Sequence, residues 1–177
     1  MKVTETKIAG VLIIEPKVFG DSRGFFLETF NADRYAEYGI ESNFVQDNYS
    51  RSTKGVLRGL HFQKNHPQGK LVSVTSGIVF DVAVDIRQHS STFGQWVGIN
   101  LSADDHKQFY IPPGLAHGFC VLSESADFQY KCTDYYHPED EASIRWNDPD
   151  IGIEWNISEP ILSKKDANAP FLKDYAK

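Results

Sequence analysis

Short runs of Val, Ile, Phe, Tyr and Trp recur along the chain, each closed by Gly, Pro, Asn or Asp. They include "GVLIIEP", "RGFFLETF", "KLVSVTSG", "IVFDVAVDIR", "QWVGINLS", "QFYIPPG", "HGFCVLS", "FQYKCTDYY" and "IGIEWNI". Runs this short cannot be helices of ordinary length, and their even spacing with turn residues between them predicts strands of a sandwich or barrel. Helical signals are sparse. One helix is expected at 31–38, "NADRYAEY", opened by Asn31 and stopped by Gly39. A single turn capped by Ser102 is expected in "SADDHKQ", and turns or a short helix in the tail. An all-β, antiparallel jelly-roll barrel with a few short helices is the economical architecture. With 177 residues the chain is read as a single domain, a β-barrel core over about 8–158 followed by a tail at 159–177.

Composition removes several classes of partner. The 18 basic and 24 acidic side chains leave a net charge of −6, which argues against nucleic acid or an anionic membrane. A small anionic ligand needs only a local cluster of positive groups. No apolar run approaches the roughly 20 residues of a membrane span. The start, "MKVTETKIAGVLIIEP", reads as a first strand and not as a signal peptide. Cys120 and Cys132 are too few for a disulfide framework, so a reduced, cytoplasmic protein is expected.

Function in a barrel shows as polar residues on inward faces of apolar strands. In "FQYKCTDYY", alternation puts Phe128, Tyr130, Cys132, Asp134 and Tyr136 on the more apolar face. Tyr130 is then either an inward phenol that exchanges a proton or a core tyrosine with a satisfied hydroxyl. In "VFDVAVDIR", Asp81 and Asp85 share a face with Ala83 and Arg87. A solvent-facing row of charges is the preferred reading there, with a carboxylate orienting a histidine as the other. His61, His66 and His117 raise the question of a metal, but no His-x-His occurs and the spacing is poor.

The densest chemistry lies in "KGVLRGLHFQKNHPQGKLVSVTSG", residues 54–77. Arg suits bidentate capture of phosphate, Lys a compact charge beside an oxyanion, and neutral His the removal of a proton. Simple alternation would send Arg58 and His61 to opposite faces. Both reach one pocket only if the strand is irregular between them, and Gly59 is where a bulge fits.

The blocks "DSRGFFLETF", "QDNYSRSTKGVLRGLHFQ", "PQGKLVSVTSGIVFDVAVDIR", "FYIPPGLAHGF" and "LSKKDANAP" closely resemble the dTDP-4-dehydrorhamnose 3,5-epimerases, in that family's order, over residues 19 to about 172. The resemblance implies a cupin-type jelly roll, a homodimer and catalysis without metal or other cofactor. It implies epimerisation of dTDP-4-dehydro-6-deoxy-D-glucose at C3 and C5, a step towards dTDP-L-rhamnose. Residue by residue, it implies His61 as general base, Asp166 as its dyad partner, Tyr130 as the acid on the opposite sugar face and Lys70 as donor to the enolate oxygen. Arg23 and Arg58 are implied as diphosphate and nucleotide contacts, with Glu28, Gln46 and Asn48 holding the nucleotide. Phe25 or Phe26, with Tyr136, are the candidates to pack on thymine, and His117 contributes packing or a substrate contact. A mono-epimerase of C3 or C5, a metal-dependent cupin enzyme on His61, His66 and His117, and a non-catalytic binding barrel are the alternatives.

Overall fold

Strands form where β-branched and aromatic residues alternate between turn residues, because such side chains fit a pleated, half-buried surface. The computed structural model describes residues 1–40 and 43–175. The chain opens with β1 (Lys2–Glu5) and β2 (Leu12–Glu15), then a separate hairpin of β3 (Val18–Asp21) and β4 (Gly24–Leu27). Helix α1 (Ala32–Ala36) follows, its Asn31 cap accepting from the Arg34 backbone N–H at 3.2 Å. Gly39, at φ +75°, ends this turn of chain in the left-handed region.

Eight strands then build the barrel. They are β5 (Gln46–Thr53), β6 (Leu57–Gln63), β7 (Lys70–Ser76), β8 (Ile78–Asp85), β9 (Trp96–Ser102), β10 (Gln108–Ile111), β11 (Leu115–Val121) and β12 (Ser125–Cys132). A 3₁₀ turn (Pro138–Asp140) leads into the short β13 (Glu141–Ser143), and α2 (Lys164–Ala167) and α3 (Leu172–Tyr175) lie in the tail. One sheet runs β1-β2-β10-β7-β12-β5 and the other β13-β6-β11-β8-β9, with antiparallel pairing throughout. Within them, 5-12-7-10 faces 6-11-8-9, the strand order of a jelly roll.

Both sheets are covered on both faces. Between them lie Val72, Val74 and Phe128 from one sheet and Val79, Leu101, Phe119 and Val121 from the other. Outside the second sheet, Leu60, Phe62, Val82, Val84 and Ile86 pack against Ile144, Ile151 and Leu172 of the tail. Outside the first, Leu12, Ile14, Leu71 and Tyr110 pack on Tyr35 and Ile40. Each fully buried apolar side chain contributes about 1.5–3 kcal/mol, enough in sum to offset a polar cavity at one end of the barrel.

Three expectations need correction. "IGIEWNI" forms no strand; Gly152 takes a left-handed φ of +66° and Trp155 donates to the Trp146 carbonyl, so the segment straps the second sheet instead. The strands also begin before residue 8 and end at Ser143. Asp81 and Asp85 are not a solvent row: both are fully buried, because β8 has protein on its two faces. The Ser102 turn is present, with its hydroxyl accepting from the Asp104 N–H at 3.1 Å. Cys120 and Cys132 are buried free thiols. Among the described residues no helix is long and apolar enough to cross a membrane.

Candidate active site

A register shift between β6 and β11 creates the site. His117 pairs with His61 and Phe119 with Arg58, so two steps on β11 oppose three on β6. The extra residue turns Arg58 and His61 to the same face, as a bulge does. Gly59 occupies it at φ +134°, and a Cβ there would stand 2.5 Å from the Gly118 Cα. Glycine is required on both counts.

At this end of the barrel lies a cavity of about 400 Å³, lined among others by Arg58, His61, Lys70, His117, Tyr130 and Glu141. Phe119 and Phe128, stacked at 4.0 Å, give it an apolar wall. Gln46, Asn48 and Ser50 line it from β5, and Tyr136 from the loop after β12. The size and mixed lining suit a small polar ligand.

His61 and Asp166 meet from distant parts of the chain. The tail runs beside β6, with Leu57 donating to the Ile161 carbonyl at 3.1 Å and Ile161 to that of Gly55 at 2.8 Å. Ser163 then caps α2 and donates its hydroxyl to Asp166 Oδ2 at 2.9 Å. Asp166 Oδ1 lies 2.5 Å from His61 Nε2. Burial works against the Asp166 charge, but the hydrogen bonds from His61 and Ser163 outweigh it and hold the carboxyl below its ordinary value. An ionised Asp166 fixes the imidazole proton on Nε2, leaving the other ring nitrogen to act as a base.

Across the cavity, on the other sheet, stand Tyr130 and Lys70. Burial pushes the Tyr130 phenol up to about 12, so it stays protonated at neutral pH. Lys70 is buried, and burial first of all pulls its amine down, against the opposing pull of Cys132, Asp81 and Glu141. A second His–Asp pair completes the wall: His117 Nε2 lies 3.0 Å from both oxygens of Asp81. The aspartate assists His117, and neither Asp81 nor Asp85 touches His61; Asp85 binds Arg87, Ser90 and Thr92.

Three sequence candidates lie elsewhere. Arg23 and Phe26 sit on the exposed β3–β4 hairpin, Arg23 paired with Asp21 at 2.6 Å, and Glu28 pairs with Arg34 at 3.1 Å. His66 belongs to a loop caged by Asp140, which accepts from its backbone N–H at 2.8 Å and that of Asn65 at 2.9 Å. His61, His66 and His117 therefore have three different carboxylate partners. Among the described residues no three His, Cys, Asp or Glu side chains cluster so as to hold a metal ion. Sequence reasoning missed Glu141, which accepts from the Tyr136 hydroxyl at 2.9 Å and pairs with Lys165 at 2.5 Å. No periodic signal marks it, since β13 is three residues long.

A cupin-like jelly roll with a His–Asp dyad facing a protonated phenol and a buried lysine defines a class: barrel isomerases equipped to move protons at carbon. The chain belongs to the dTDP-4-dehydrorhamnose 3,5-epimerase family, whose sequence model matches residues 5–174. It is 60% identical over 175 residues to the dTDP-4-dehydrorhamnose 3,5-epimerase of Salmonella typhimurium, covering 97% of this chain and 96% of that protein. Among solved structures it is similar to an epimerase from Legionella pneumophila in complex with dTDP-4-keto-L-rhamnose. The TM-score is 0.95 at 60% identity, covering 97% of this chain and 93% of the other. A 3′-monoepimerase from Streptomyces bikiniensis, in complex with dTDP-quinovose, gives a TM-score of 0.89 at 34% identity, covering 95% and 86%.

Proposed function

We propose that this protein inverts C3 and C5 of dTDP-4-dehydro-6-deoxy-D-glucose, yielding dTDP-4-dehydro-L-rhamnose for dTDP-L-rhamnose synthesis. The observation that carries the reading is the placement of His61, on one sheet, opposite Tyr130 and Lys70 on the other, around one cavity. Inversion by deprotonation and reprotonation needs a base on one face of the sugar and an acid on the other. A single group would mostly return the starting isomer.

In this reading His61 removes the proton beside the C4 ketone, and Asp166 supports the imidazolium that forms. The electron pair moves onto the ketone oxygen, which the buried Lys70 stabilises as an enolate. Tyr130 then delivers a proton to carbon from the opposite face. Arg58 meets the diphosphate, His117 contributes at the sugar, Gln46 and Asn48 hold the nucleotide, and Tyr136 stacks on thymine. These steps use no metal or other cofactor.

Arg23, Phe26 and Glu28 lie outside the chain's own cavity, yet their hairpin exposes Phe25 and Phe26 by 62% and 69%. A homodimer accounts for both facts if each hairpin lies against the partner's cavity and brings these three residues to the nucleotide. Buried free thiols suit the reducing cytoplasm, where we place the protein.

The reading is tested by incubating the 4-keto nucleotide with the protein in excess chelator and determining the product's configuration by NMR. Inversion at both carbons is expected. Inversion at one carbon supports the mono-epimerase instead, and an unchanged sugar supports a binding barrel. Activity lost in chelator and restored by metal supports the metal-dependent cupin.

A further inference from the structure

Tyr136 stands on a segment that belongs to no strand. Residues 133–137 run between β12 and the 3₁₀ turn, yet they carry an aromatic ring that lines the cavity. Peptide groups outside a ladder need other partners, and three glutamine side chains supply them. Gln68 donates to the Asp134 carbonyl at 2.8 Å, and Gln46 accepts from the Tyr136 N–H at 2.9 Å. Gln63 bonds on both sides of Tyr136. Its Nε2 donates to the Tyr135 carbonyl at 3.1 Å, and its Oε1 accepts from the His137 N–H at 2.7 Å. These are the groups through which a parallel strand neighbour engages a residue, one peptide to each side.

Gln63 reaches them because it is the last residue of β6, buried at 6% exposure and paired in register with Glu141. Nε2 also donates to the His66 carbonyl at 2.7 Å, so one amide ties the loop after β6 to the segment after β12. The His66 and His137 rings stack at 4.1 Å across the same junction. Gln63 lines the cavity, but both its amide hydrogens are committed to protein carbonyls, leaving none to donate to an anionic ligand. What it fixes is the course of the chain around Tyr136. The ring itself is 49% exposed and held at its far end by the bond from its hydroxyl to Glu141.

We propose that Gln63 is a positioning residue for nucleotide affinity: its side-chain amide takes the place of a neighbouring strand and holds Tyr136 in the pose that stacks on the base. This rests on the reading of Tyr136 as the thymine contact, and it adds a residue that acts only through another.

The test is a double-mutant cycle on Gln63→Met and Tyr136→Ala, read by calorimetric titration with dTDP and by steady-state kinetics. Methionine keeps the length of the side chain and removes its hydrogen bonds. Tyr136→Ala should weaken dTDP binding about tenfold or more, the loss of a base–aromatic stack. Gln63→Met should weaken it about fivefold or more and raise KM to match, with kcat changed less than about threefold. In the double variant Gln63→Met should add less than about a further twofold, because the ring it positions is gone. Losses that multiply in the double variant overturn the proposal and leave the thymine reading standing. Wild-type dTDP affinity in Gln63→Met, or a fall in kcat without a change in KM, overturns it too. Wild-type affinity in Tyr136→Ala defeats the thymine reading and the proposal with it.

Should circular dichroism show Gln63→Met unfolded, hydrogen exchange at the His137 amide of the wild type decides. Protection of about 100-fold or more that rises on adding dTDP supports the proposal. An unprotected amide, or protection that saturating dTDP leaves unchanged, overturns it.

Discussion

His61 and Asp166 are 105 residues apart in the chain and 2.5 Å apart in the fold. No spacing rule joins them, so the pairing was legible only through the resemblance of "RGLHFQ" and "LSKKD" to family blocks. The inward face of Tyr130, by contrast, follows from alternation in its own strand. Asp166→Asn should lower kcat by about 10²- to 10⁴-fold, because an amide holds the imidazole without supporting its charge. Steady-state kinetics with a thermal melt separates this from unfolding. The Asp166 carboxyl lies below the ordinary range of an aspartate in the folded protein, so its contribution to stability is complete well above that range. That contribution is lost as pH falls through the lowered folded value, and acid titration should show the Asp166→Asn variant losing less stability there than wild type. Tyr130→Phe is expected to keep exchanging substrate protons with solvent while inverting them at least about 100-fold more slowly. Loss of exchange and inversion to the same degree would contradict the division between base and acid.

At the scale of elements, the bulge in β6 was legible in outline: Arg58 and His61 share a face only with an extra residue, and Gly59 was the place for it. The register confirms this geometry. Gly59→Ala should cost about 3 kcal/mol or more and abolish activity, since the new Cβ meets backbone and not a flexible side chain. Denaturant unfolding checks it, and a variant as stable as wild type would show the bulge can relax. Strand β5 was not legible as a strand. Its "QDNYSRST" carries no apolar alternation, because its inward residues Gln46, Asn48 and Ser50 face the wet cavity and not the core. The same physics reversed hid Asp81: a strand buried on both faces sends its charges inward, where alternation alone suggests water.

Across the whole molecule, charge and aromatic exposure separate two surfaces. The chain is net −6, yet Arg58, His61, Lys70 and His117 converge on one cavity, which suits an anionic ligand. The β3–β4 hairpin pairs with neither large sheet and presents Phe19, Phe25 and Phe26 to the outside. If the hairpin closes the homodimer we propose, replacing Phe25 and Phe26 with Ser should yield folded monomers with activity down about 100-fold, read by light scattering and kinetics. A variant that stays dimeric and active would contradict the part we give the hairpin. The jelly roll itself was legible from punctuation and alternation, but the hairpin's separation was not, since "RGFFLETF" reads as a core strand until its pairing is known.

The central claim is that His61 draws protons from carbon on both sides of the ketone. The most direct measurement is incubation of dTDP-4-dehydro-6-deoxy-D-glucose in deuterium oxide with wild type and with His61→Ala, reading C3 and C5 by NMR. The account predicts deuterium at both carbons with wild type and at neither with the folded variant. Wild-type-like exchange in His61→Ala would contradict it.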